Sequence, residues 1–167
     1  MQIHRRVSRA FAAAMFAAVL ATALVAAGAF GAEQTREGYV AQVEPICKKS
    51  TQSLEKALQG VKTKIKQNKL KPASTQFAAA ALAFEKGVKQ LKAVAQPEAD
   101  TAKLGKWLKQ LEAGTGFLRK IGKALKAEQK GLAQNYIVKL SNNSRVANNL
   151  VLGFEFHYCL IDSSKFS

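Results

Sequence analysis

Beyond position 35, apolar residues recur at intervals of three and four, the spacing that places side chains on one face of an α-helix. A first such segment extends from about 36 to 66. Its apolar stripe consists of Tyr39, Val43, Ile46, Leu54, Leu58, Val61 and Ile65. Thr35 is suited to cap its start. Pro45 must either kink the helix or mark its true beginning, because proline lacks an amide hydrogen and clashes with the preceding turn.

Two further segments keep this period. The second starts after Lys71, with Pro72 near the first helical position, and ends near 94. Its stripe is Phe77, Ala81, Phe84, Val88 and Leu91. The third follows a loop at 96–100, with Asp100 or Thr101 as its cap. Its stripe is Leu104, Trp107, Leu108, Leu111, Leu118, Ile121 and Leu125.

The fourth segment runs from about 128 to 156. Its stripe is Leu132, Tyr136, Leu140, Ala147, Leu150 and Phe154. Four such helices joined by short loops favour an up-and-down antiparallel four-helix bundle, so the predicted fold class is all-α. Gly114 and Gly116 lie inside the third helix and mark a bend or a close helix crossing.

The beginning of the chain has a different pattern. Residues 10–32 carry no charge, and three arginines precede them, as in a secretory signal sequence. Ala29 ends an A-x-A motif, so we expect Sec-type export with cleavage after Ala29, leaving a signal peptide at 1–29 and a bundle domain at 30–167. The alternative is an uncleaved anchor. The expected location is extracytoplasmic, either secreted or in the cell envelope.

The chain contains two cysteines. Cys47 lies near the start of the first predicted helix and Cys159 just past the end of the fourth, so an up-down-up-down path brings them to the same end. Two cysteines in an exported chain also suggest a disulfide, here linking the first and last helices. The alternative is a pair of free or redox-active thiols, although no C-x-x-C motif is present.

Charge gives the main functional signal. Loss of the three leader arginines would lower the net charge from +15 to +12. Ten cationic residues cluster across the first and third loops, which a bundle places at one end, opposite the cysteines. They are Lys62, Lys64, Lys66, Lys69, Lys71, Arg119, Lys120, Lys123, Lys126 and Lys130. We interpret them as a surface that binds anionic envelope polymers or an acidic protein.

An alternative interpretation is that these cations only favour helix C-termini and keep the surface solvated. Most residues of the clusters are lysines, and a lysine ammonium is a point charge that does not form the paired hydrogen bonds by which arginine recognises a base. No aromatic residue is interleaved for base stacking. Sequence-specific nucleic-acid recognition is therefore disfavoured, and membrane contact is expected only through an uncleaved leader.

Other chemistry lacks the residues that it needs. A c-type haem requires a C-x-x-C-H motif, which is missing. Axial ligation of a haem by histidine and methionine also fails, because both methionines fall in the leader. His157, Cys159, Asp162 and Glu155 do not share one helical face for a metal. His157 is interpreted as an aromatic residue at the end of the core, and it accompanies no candidate nucleophile. We expect neither a cofactor nor an enzyme.

Two short motifs support a family resemblance. They are the segment 91–100, with Pro97 three residues before Asp100, and the segment 153–159, which ends in Cys159. Together with the early Cys47, they make the chain similar to a set of small exported all-helical proteins of high-GC Gram-positive bacteria. The resemblance implies the disulfide and the bundle, and it carries over no catalytic or binding residue.

The sequence thus predicts a non-enzymatic binding protein of the cell exterior. A second hypothesis is a small-ligand carrier, because Gly114 and Gly116 lie beside Trp107 and Phe117 and their missing side chains could leave a cavity in the bundle. A third, an enzyme, requires His157 to lie exposed in a cleft with polar partners.

Overall fold

Helices account for most of the folded chain. A computed structural model describes residues 33–162 and 164, and within them no strand occurs. The helices are α1 (Arg36–Leu58), α2 (Val61–Lys66), α3 (Leu70–Lys92), α4 (Thr101–Lys126) and α5 (Lys130–Leu150). Single 3-10 turns lie at Glu98–Asp100 and Leu152–Phe154. The predicted signal peptide and its cleavage site lie outside the described residues.

The four long helices pack in chain order. α1 packs on α3, α3 on α4 and α4 on α5, while the short α2 packs on α3. Short connections make consecutive helices alternate in direction. The predicted all-α, up-and-down bundle is confirmed.

The first predicted helix is in fact two helices. Thr35 caps α1 by accepting a hydrogen bond from the Gly38 amide at 3.0 Å, as expected. α1 continues through Pro45 but ends before Gly60, whose φ of 72° is easily adopted only by a residue without a side chain. The chain then restarts as the six residues of α2. The sequence did not predict this break, because the apolar stripe continues from one helix into the next.

The fourth helix is shorter than predicted and faces a slightly different direction. α5 ends at Leu150, and Leu132 is 41% exposed rather than part of the stripe. The buried stripe consists of Ala133, Ile137, Leu140, Ser144, Ala147 and Val151. Leu140 and Ala147 were predicted correctly. Selection by side-chain size included Leu132 and left out small core residues such as Ala133 and Ser144.

Residues 151–162, here the C-terminal segment, fill the seam between α1 and α5. The Glu44 carboxylate on α1 accepts hydrogen bonds from the backbone amides of His157 at 2.7 Å and Tyr158 at 3.1 Å. On α5, the Asn148 side chain accepts from the Ile161 amide at 2.9 Å and donates to the Ile161 carbonyl at 3.0 Å. The segment is thus bonded to both helices and closes the bundle.

The predicted disulfide is present. The sulfurs of Cys47 and Cys159 are 2.06 Å apart and both residues are buried. Its position differs in detail from the prediction, because Cys47 lies at the middle of α1 and Cys159 lies in the C-terminal segment, beyond α5. The sulfurs meet because the segment turns back along α1.

The core divides into two clusters. The first, here the aromatic end, contains both cysteines together with Tyr39, Trp107, Phe154 and Phe156. The Trp107 and Phe156 rings stack with centroids 5.6 Å apart, and those of Phe154 and Phe156 stack at 5.4 Å. The other cluster, near the α2–α3 and α4–α5 turns, is mostly aliphatic and rich in alanine.

An ion pair joins α1 to the start of α4 at the aromatic end. The Arg36 guanidinium donates to both carboxylate oxygens of Asp100, at 2.8 and 2.7 Å, and lies 4.9 Å from the centre of the Phe154 ring. Hydrogen bonding to Arg36 lowers the pKa of Asp100 below its ordinary value. Asp100 is the N-cap residue of α4, as predicted, but its carboxylate bonds Arg36 and makes no capping hydrogen bond.

Candidate anion-binding site

Both predicted cation clusters lie at one end of the bundle. The ammonium of Lys71, at the start of α3, is 3.5 Å from the carboxylate of Glu128, in the α4–α5 turn. The helices also approach closely there, since a methyl group on Gly122 of α4 would lie 3.4 Å from the Ser74 carbonyl of α3. The two turns are therefore neighbours. We call this part of the molecule, with its ten predicted cations, the basic end.

The two turns share one backbone geometry. Each contains a residue with positive φ, Asn68 at 58° and Glu128 at 60°. In each, the next amide bonds back to the last turn of the helix, from Lys69 to the Lys64 carbonyl at 2.8 Å and from Gln129 to the Ala124 carbonyl at 2.9 Å. These are Schellman caps. Asparagine is a known signal for this geometry, whereas glutamate gives none.

Half of the ten cations have partners or stack on rings. Arg119 pairs with Glu85 at 2.7 Å, and Lys71 contacts Glu128. Lys64 donates to the Gln76 side chain and Lys62 to the Ser164 carbonyl, both at 2.9 Å. Lys120 lies over aromatic rings.

The other five cations form no ion pair within the described part of the chain, and all are exposed. They are Lys66, Lys69, Lys123, Lys126 and Lys130. They come from two turns 60 residues apart in sequence, Asn68 and Glu128 being their positive-φ residues. Glu128 is the acid that lies between the turns. The folded chain thus concentrates uncompensated positive charge on one surface, where it would attract anions.

Aromatic residues are also present at this surface. The Lys120 ammonium lies 5.5 Å from the Phe117 ring centre and 5.8 Å from that of Tyr136. Lys139 lies 5.8 Å from the Tyr136 ring centre. Neither cluster contains an aromatic residue in sequence, but these two rings adjoin Lys120 in the folded chain. Tyr136 lies on α5, outside both clusters in sequence, and helix pairing brings it beside Lys120.

The space beside Gly114 is filled, whereas a methyl group on the half-buried Gly116 would meet nothing within 4 Å. A methyl group on Gly114 would lie 3.4 Å from the Asn143 amide nitrogen and 3.5 Å from the Phe84 ring, so the glycine permits a close helix crossing. A groove of about 740 Å³ lies elsewhere, between the end of α1, α2 and the C-terminal segment. Its apolar lining includes Leu54, Leu58, Phe84 and Ile161.

The structure changes the interpretation of His157. Its side chain is exposed rather than part of the core, and its backbone amide bonds Glu44. Across residues 33–162 and 164, no three metal-ligating side chains gather. None of the described helices is long and apolar enough to cross a bilayer.

No protein-family model, curated protein or solved structure matches the chain. The resemblance to exported helical proteins therefore stays a prediction.

Proposed function

We propose that the protein is a non-enzymatic binding protein of the cell exterior and that its basic end holds anionic polymers. The main support is the convergence of five exposed lysines, unpaired within the described residues, from two turns distant in sequence. Lysine ammoniums attract phosphate or carboxylate groups without demanding one geometry. Binding of this kind is salt-sensitive and weakly selective.

The proposal includes export of the chain through its predicted Sec-type signal peptide, with cleavage after Ala29. A disulfide is consistent with an oxidising extracytoplasmic compartment. The intact mass of the protein recovered from its host tests the cleavage site. A mass that includes residues 1–29 would contradict it.

The competing interpretation assigns these lysines only to helix stabilisation and solvation. Four of the cations do lie in last helical turns, where they favour the macrodipole. That role requires no ligand, so the two interpretations differ in what happens when a polyanion is added.

A pair of variants separates them. The first replaces Lys66, Lys69, Lys123, Lys126 and Lys130 with glutamine. The matched control replaces five exposed lysines away from the basic end, namely Lys49, Lys86, Lys103, Lys106 and Lys109. Both lose the same charge, so a difference between them reports position rather than net charge.

Polyphosphate of defined length is the probe, titrated at several salt concentrations. At about 0.3 kcal/mol per lysine, we expect the first variant to bind about tenfold more weakly. The control should bind nearly as well as the wild type, and raising the salt should reduce the difference. Equal affinity of both variants would overturn the proposal.

A second candidate function is that of a small-ligand carrier. The groove of about 740 Å³ supports it, since its volume and apolar lining suit a drug-sized molecule. Native mass spectrometry of the protein from its host tests this. A bound molecule that is lost from a variant of the exposed groove residue Leu160, Leu160→Lys, would support a carrier, and a bare polypeptide would count against it.

A further inference from the structure

Four side chains form a small patch beside the basic end. The rings of Phe117 on α4 and Tyr136 on α5 are half-buried, while Lys120 and Lys139 are exposed. The Lys120 ammonium lies 5.5 Å from the Phe117 ring centre, and the ammoniums of Lys120 and Lys139 each lie 5.8 Å from the Tyr136 ring centre. The patch adjoins the five lysines of the basic end through Lys123, which lies one helical turn from Lys120.

The patch holds two like charges against one ring. Both ammoniums approach the centre of the Tyr136 ring within the range of a cation–π interaction. Neither forms an ion pair with a described residue. An anionic group near these ammoniums would be attracted to them, and the Tyr136 ring offers an apolar surface beside them.

We propose that this patch binds a sugar unit of an acidic polysaccharide, so that the polymer held at the basic end is a polyuronate-like chain. The inference rests on the proposed function. A uronate ring presents a flat C–H face that packs on an aromatic ring, and its carboxylate lies a few bonds from that face. Tyr136 matches the first feature, and the ammoniums of Lys120 and Lys139 match the second.

Two other classes of polymer fit less well. Polyphosphate has no ring and would use only the lysines. Single-stranded nucleic acid also combines rings with negative charge and stacks on aromatic residues. We favour the polysaccharide because the disulfide is consistent with an oxidising extracytoplasmic compartment, where envelope polysaccharides occur.

The test compares tyrosines in similar settings. Tyr136→Leu removes the aromatic face but keeps apolar bulk, and Tyr136→Phe keeps the face. Tyr158→Leu is the matched control, because Lys48 lies 4.9 Å from the centre of the Tyr158 ring, in the C-terminal segment. Alginate, polyphosphate and oligo(dT) are the three probes, each titrated under the same salt.

We expect Tyr136→Leu to weaken alginate binding about fivefold, the size of one aromatic contact, and to leave polyphosphate binding unchanged. Tyr136→Phe and Tyr158→Leu should bind alginate like the wild type. Equal effects of Tyr136→Leu on alginate and polyphosphate would overturn the patch, as would no effect on either. A loss of affinity confined to oligo(dT) would indicate that the patch binds nucleic acid rather than a polysaccharide. The proposed function is tested separately from this inference, because the five-lysine variant is measured with polyphosphate and the Tyr136 variants are judged by alginate.

Discussion

The two ends of the bundle differ in the side chains and contacts that form them. At the aromatic end, stacked rings, the Arg36–Asp100 ion pair, the Glu44 bonds and the disulfide fix the C-terminal segment to the helices. At the basic end, helices approach closely over alanine and glycine, and most lysines extend into solvent. The disulfide and the stacked rings lie at one end, while the other end has side-chain hydrogen bonds and ion pairs such as Arg119–Glu85 and displays charge.

This contrast matters because stabilising the fold conflicts with displaying a cluster of like charges. A cluster of like charges destabilises the region that carries it. In this protein, the disulfide and the stacked rings lie away from that region, so the repulsion acts on small-residue packing and on exposed polar contacts. We infer that the aromatic end stabilises the fold and that the basic end is the part available for binding.

The largest expected effect comes from removing the bridge. The disulfide spans 112 positions, so a Cys47→Ala, Cys159→Ala double variant should lose about 4 to 5 kcal/mol of unfolding free energy. Guanidinium denaturation followed by circular dichroism measures it. Reduced wild type should lose a similar amount. A loss below about 1 kcal/mol would mean that the noncovalent contacts hold the segment alone.

At the basic end, enlarging a small residue should be most damaging. Gly122→Leu should cost about 1 to 3 kcal/mol, because the added atoms meet the α3 backbone near Ser74 and Ala78. The control is Gly105→Leu, where a side chain meets nothing within 4 Å, and it should gain slightly in helix propensity. Similar thermal unfolding of both variants would show that the helices do not pack closely at this end.

The aromatic end contains a buried hydroxyl whose removal should help. Tyr39 is fully buried, and no described residue accepts a hydrogen bond from its hydroxyl. Tyr39→Phe should therefore stabilise the fold by about 1 kcal/mol at neutral pH. Denaturant titration measures the gain. A destabilisation of similar size would indicate that the hydroxyl has a partner, such as an ordered water.

The same variant predicts a pH effect. Burial raises the pKa of Tyr39 to about 12, from 10.0. Between these values the unfolded tyrosine loses its proton while the folded one keeps it, so wild-type stability falls as the pH rises. The advantage of Tyr39→Phe should grow by about 2 kcal/mol by pH 12. A constant difference between the two proteins from pH 8 upward would contradict this.

The smallest expected effect is that of one substitution on both the stability of the fold and the affinity for polyphosphate. Glu128 has a positive φ, which glycine adopts more easily, and it is the acid that contacts Lys71. Glu128→Gly should stabilise the fold by about 0.5 kcal/mol and tighten polyphosphate binding about twofold. Glu37→Gln, a charge change in the first turn of α1, is the comparison for binding. Weaker binding by Glu128→Gly would mean that the acid orders the site.

Periodicity predicted the four long helices, because apolar spacing defines the buried face of a helix. The disulfide was predicted from the cysteine count and the expected export as well as from chain direction, and the sulfurs meet at the middle of α1. Periodicity missed the break at Gly60, where the apolar stripe continues across a turn. It also misplaced the α5 stripe, since small residues such as Ala133 and Ser144 form the core side there. Burial of small side chains depends on the neighbouring helices, and one helix's own pattern does not reveal it.

The fold brings the ten predicted cations to one end of the bundle, while anion binding there stays a proposal. The lysine clusters were visible in sequence, and helix direction alone predicted that they would share an end. Tyr136 was missed because it reaches Lys120 only through the pairing of α4 with α5. The role of Asp100 was missed for a similar reason, since its partner Arg36 lies 64 positions away.

The most direct test of the account is to map where an anion binds. Backbone amide chemical shifts of the protein, recorded during titration with short polyphosphate, locate the contact residue by residue. We predict shifts concentrated in the turns around Asn68 and Glu128 and in the neighbouring lysines, with little change around Tyr39 and Trp107. Shifts spread evenly over all exposed lysines, or centred on the aromatic end, would contradict the proposed division between the two ends.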